Sequence, residues 1–179
     1  MSGILIRIAL AAAMCGSVSF LPAWAQWSEV TVTNEAPLTD EDPDLIELKE
    51  RRVTAYKDGD IVYESPDDCL VQEMLYSDID DDGRGELVIL NFRKGRHNGP
   101  KPFFVEDDHS KWFQHIYIYD YYADEKVFKP SWMASDIGMD AVDMTLLDDG
   151  VIRILNRQGH YSNWKWKSFG LKNIDGDEY

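Results

Sequence analysis

Cysteine is nearly absent: the 179 residues include two, Cys15 and Cys69. Cys15 falls in an N-terminal segment read below as a removable signal, which leaves Cys69 alone and excludes an intramolecular disulfide. A domain without disulfides is held by its core, or by something else such as a metal. Cys69, within the apolar stretch CLVQEML, reads as a buried structural thiol. Basic residues are also scarce, with 18 Lys and Arg against 33 Asp and Glu and a formal charge of −15. That balance argues against nucleic acid, whose phosphates attract Lys and Arg, and is compatible with bound cations, a basic protein partner or simple solubility. No apolar run reaches the about 20 residues of a membrane-spanning helix. A Gly-x-Ser-x-Gly elbow is missing, and Cys69 has no histidine partner evident in sequence. No H-x-x-x-H spacing ties His97, His109, His115 or His160 to a transition metal, so these histidines are expected on exposed loops or strands. With carboxylates so numerous, no acid–base pair stands out. The sequence predicts a protein that is not an enzyme.

What is present begins with export. A short start carrying Arg7 is followed by an apolar run over residues 8–21 and then Pro22-Ala23-Trp24-Ala25. This order of charged, apolar and small-residue regions is that of a secretory signal, with cleavage expected after Ala25 and a periplasmic or secreted product. Residues 26–42 (QWSEVTVTNEAPLTDED) are polar and acidic and read as a flexible leader. Residues 43–179 read as one β-rich domain, although Asp42-Pro43 before DLIELKERR also suggests the start of a short helix.

Most of that domain carries strand signals. Apolar runs over 52–56 and 61–64 flank Lys57-Asp58-Gly59-Asp60, and those over 142–147 and 151–156 flank Asp148-Asp149-Gly150. Asp-Gly between such runs marks a β-hairpin. Further strands are expected over 69–76, 86–92, 114–122, 127–133 and 164–171, joined by Gly/Asp turns, while residues 93–111 read as one long surface loop. The fold class is all-β, mainly antiparallel meanders of eight or nine strands.

The most informative segment is Asp78-Ile79-Asp80-Asp81-Asp82-Gly83-Arg84-Gly85-Glu86, which runs directly into the apolar Leu87-Val88-Ile89-Leu90. Carboxylates at positions 1, 3, 5 and 9 with Gly at 6 supply the hard oxygens calcium takes at about 2.3–2.6 Å. The position-7 residue, Arg84, would offer its carbonyl, and Asp81 would point outward. An EF-hand needs Glu at position 12, where this chain has Ile89. A calcium loop entering a strand without flanking helices resembles the FG-GAP/VCBS repeats of integrin-α-like β-propellers, whose blades carry D-x-D-x-D-G-x-x-D/E. The resemblance implies a structural Ca²⁺ held by Asp78, Asp80, Asp82, Glu86 and the Arg84 carbonyl. It covers one blade, residues 53–92. About two blades' worth of predicted strands are too few for a closed propeller of typically four to eight blades.

Two functions are expected from different classes. One is an exported, calcium-stabilised binding module, such as an inhibitor or immunity-type protein whose acidic surface meets a basic partner. The other is a carbohydrate-binding or carbohydrate-processing protein using exposed aromatics, for which Trp112, Trp132, Trp164, Trp166 and the tyrosines of HIYIYDYY are candidates. The basic island KGRHNGPK, residues 94–101, reads as a solvated loop or a recognition loop for an anionic group.

Overall fold

The structure is a computed structural model that describes residues 6–9 (backbone only), 21–33, 42–97, 111–134 and 136–176. Its strands are β1 (Ile6–Ala9), β2 (Ser28–Thr33), β3 (Leu45–Lys49), β4 (Arg52–Lys57), β5 (Asp60–Glu64), β6 (Cys69–Ser77), β7 (Glu86–Lys94), β8 (Trp112–Tyr122), β9 (Val127–Met133), β10 (Ala141–Leu146), β11 (Ile152–Asn156), β12 (Tyr161–Trp166) and β13 (Leu171–Asn173). They form three antiparallel sheets in chain order, β1–β5, β6–β9 and β10–β13, each a meander. β1 lies inside the segment read as a signal, and without it every sheet has four strands.

The tight turns have local causes. Asp58 and Gly59 both take positive φ, 54° and 85°, the pattern of a type I′ hairpin turn between β4 and β5. The Asp148-Asp149-Gly150 turn forms one turn of 3-10 helix, again with positive φ at Asp149 and Gly150.

The middle sheet is buried on both faces. On β7, Leu87 and Ile89 face the first sheet while Val88 and Leu90 face the third. On β8, Tyr117, Tyr119 and Tyr121 join the first core and Ile116 and Ile118 the second. The unbroken run ELVILNF follows from this, since a strand covered on both sides does not alternate in polarity. The first core also takes Ile46, Leu48, Val53 and Phe128, and the second takes Met144, Ile152, Ile154 and Leu171.

A polar clasp ties the third sheet to the second. The Gln114 amide copies a strand neighbour: Ala141 N donates to its Oε1 and its Nε2 donates to Ala141 O, both at 2.7 Å. Gln114 Nε2 also lies 2.7 Å from Gln72 Oε1, and Gln72 Nε2 donates to the same Ala141 carbonyl at 3.1 Å. Gln72 is available for this because a bulge between Val71 and Glu73 drops it from the β6–β7 ladder.

Several expectations change. The helix suggested after Asp42-Pro43 is strand β3, and Asp42 instead accepts a hydrogen bond from the Tyr76 hydroxyl at 2.7 Å. Alternating burial along LIELK lets it pair with both neighbours, which outweighs the capping signal. The leader is partly structured, because Val30 and Val32 of β2 pair with Leu48 and Ile46 of β3. The last predicted strand, 164–171, is a hairpin of β12 and β13. Three meanders replace the expected two blades' worth of strands.

Candidate metal centre

The β6–β7 connection holds the acidic loop, and the ladder fixes its ends: Ser77 pairs with Glu86 at its base. Gly85 leaves room there for Tyr76, whose ring and hydroxyl would have to shift to admit a Cβ. At Asp81 and Gly83 the chain turns through positive φ, 62° and 88°, so backbone amides point inward. Asp82 N and Gly83 N donate to the two oxygens of Asp78 at 3.2 and 2.9 Å, and Ile79 N donates to Glu86 Oε2 at 2.7 Å. Ile79 anchors the loop by burying its side chain in the second core.

Asp78, Asp80, Asp82 and Glu86 each place one carboxylate oxygen within 4.8 Å of the others, a cluster that could hold a metal ion. Glu86 is buried, Asp78 half-buried, and Asp80 and Asp82 exposed. Burial pushes the Glu86 carboxyl up to about 8, opposed by the Ile79 amide and reinforced by Asp80, Asp78 and Asp120. Asp80 is also raised, by partial loss of water within the loop and by the neighbouring Asp82. Asp82 is lowered, because the Arg84 side chain donates to it. Arg84 therefore sits in the loop with its guanidinium on Asp82 Oδ2 and against the Tyr122 ring. Asp81 is exposed, as are Asp80 and Asp82 on either side of it.

The sequence reading missed Asp120. It faces Glu86 directly across the β7–β8 ladder and adds to the negative potential at Asp80 and Glu86. The available signal was one aspartate inside an otherwise aromatic strand, QHIYIYDYY.

The other candidates resolve differently. His97 and His160 are exposed, but His115 is fully buried, with Nδ1 3.1 Å from Ala134 O and Nε2 3.1 Å from Gly95 O. Burial lowers its pKa against the pull of those two carbonyls. It joins two connections at the second sheet and belongs to no group of three or more potential metal ligands among the described residues. His109 lies outside the described residues, as do most of the long loop and half of the basic island. Trp132, Trp164 and Trp166 pack against the second core rather than forming an open platform, and Trp112 is half-buried with the Lys94 ammonium over its ring. Among the described residues the large exposed aromatics are instead Tyr161 and Phe169, 63% and 91% exposed. Comparison with protein-family models, with curated proteins and with solved structures finds no match to this chain.

Proposed function

We propose that the protein is an exported, non-enzymatic interaction module whose β6–β7 loop binds one structural calcium ion through Asp78, Asp80, Asp82, Glu86 and the Arg84 carbonyl. The observation carrying this reading is the convergence of four carboxylates within 4.8 Å. Two oxygens on opposite sides of one calcium ion stand about 4.6–5.2 Å apart, whereas magnesium draws them to about 4.2 Å. The buried Glu86 adds a chemical reason. A carboxylate held out of water beside like charges is costly unless a cation joins it. The order of the chain supports the likeness to FG-GAP/VCBS repeats, because a propeller blade is also a four-stranded meander. The strongly acidic surface suits a basic protein partner, as for an inhibitor or immunity-type protein.

The test is thermal unfolding in excess EDTA and again in millimolar calcium. A ligand of the folded state at a hundred times its Kd adds about 2.7 kcal/mol, a clear upward shift of the midpoint. The shift is expected to vanish in Asp80→Ala with Asp82→Ala. An unchanged midpoint in the wild-type protein would reduce the loop to an acidic turn.

A further inference from the structure

The third sheet turns its apolar face to the core and its other face to solvent. Cross-strand partners share a face, so Ile152 with Trp164 and Ile154 with Ser162 point inward. Arg153 with Asn163, Leu155 with Tyr161, and Lys165 with Lys172 point outward. An open groove of about 730 Å³ runs across this outer face, with Leu147, Val151 and Ile174 as apolar wall and Arg153, Asn163 and Asp175 as polar wall.

That polar wall is organised. Arg153 Nε donates to Asn163 Oδ1 at 3.0 Å, and Asn163 Nδ2 donates to Asp175 Oδ1 at 2.8 Å. Asp175 is fixed further by the Asn163 backbone amide and by Asn173 Nδ2. Beside the groove the ring of Tyr161 lies under the Arg153 guanidinium at 5.6 Å and is 63% exposed. The Lys165–Lys172 pair is a like-charge pair facing directly across the ladder, an arrangement that costs stability. Along β12, Tyr161, Asn163 and Lys165 point the same way and span about 14 Å.

We infer that this face binds a neutral oligosaccharide. The groove brings a cation (Arg153), two anions (Asp148 and Asp175) and a side-chain amide (Asn163) together, and the Lys165–Lys172 pair lies on the same face outside it. A polyanion would meet the acids and a polycation the bases. Sugar hydroxyls both donate and accept, so they match a mixed array of donors and acceptors. The apolar face of a sugar ring needs a flat hydrophobic partner with a polar edge, which Tyr161 supplies. The groove is lined by the third sheet and its flanking turns and shares no residue with the acidic cluster.

The experiment titrates the purified protein with chitohexaose, cellohexaose and maltohexaose at up to millimolar concentration, following amide resonances. The expected result is saturable binding of at least one, with the largest shifts at Arg153, Tyr161 and Asn163. Tyr161→Ala is expected to weaken that binding at least tenfold with an unchanged unfolding midpoint. Phe169→Ser, an exposed aromatic outside the groove, is expected to leave it intact. Lys172→Glu converts the like pair into an opposite pair, so weaker binding at an equal or higher midpoint would separate recognition from folding. The inference is overturned if none of the three sugars binds, if Tyr161→Ala binds normally, or if only polygalacturonate, single-stranded DNA or polylysine is bound.

Discussion

At the scale of single residues, environment decides what each group does. Cys69 has no exposed surface, and burial beside the Asp68 carboxylate pushes its thiol up to about 12. The thiolate is the nucleophile, so at pH 8 the native protein is expected not to react with a thiol-specific disulfide reagent until denaturant is added. The sign for stability follows from the raised value. The native state holds the thiol proton more tightly than the unfolded chain, so Cys69 contributes nothing below about pH 9. As pH rises from about 9 toward 12 it costs stability, at up to about 1.4 kcal/mol per pH unit. Cys69→Ala removes that slope, and the pH dependence of its denaturation midpoint compared with the wild type measures it. The buried thiol was legible in CLVQEML because apolar neighbours bury their company. His115 was not, because two backbone carbonyls from distant connections, Gly95 and Ala134, create its site.

At the scale of elements, the convergence of four carboxylates was legible. Asp78, Asp80, Asp82 and Glu86 fall within nine residues of one short loop at mostly alternate positions. Asp120 escaped because its place opposite Glu86 depends on the register of β8, which local sequence does not reveal. The two Asp-Gly hairpins were equally plain, whereas β2 and β3 were hidden by polar residues that a solvent-facing strand tolerates. The Gln114 clasp belongs to this scale too, since it joins strands that no ladder joins. Gln114→Ala leaves the Ala141 amide without its partner inside the protein. It is expected to cost about 2–4 kcal/mol, from the unsatisfied donor and the cavity together. Chemical denaturation measures the loss, and faster hydrogen exchange at Ala141 and its neighbours would place it at the junction of the second and third sheets.

At the scale of the whole molecule, three sheets stack with the middle one covered on both faces. The sequence carries the count of strands imperfectly but the class well, because turn chemistry and strand propensity are local while stacking is not. What the stack covers is also what it leaves open. The outer face of the third sheet has no described element over it, and there the exposed Tyr161 and the grooved polar wall sit together.

Because each sheet is one unbroken stretch of chain, the peptide link between β9 and β10 pairs no strands within either sheet. The second and third sheets recognise each other through Ile116, Ile118, Met144 and Ile154 and through the Gln114 clasp, all of which survive a cut in the chain. The molecule is thus divisible. Two fragments, residues 26–138 and 139–179, are expected to reassemble when expressed together, and analytical gel filtration should return them as one species. Gln114→Ala in the larger piece should weaken that reunion. A protein with this property can be used as a split reporter, with the third sheet as a detachable tag.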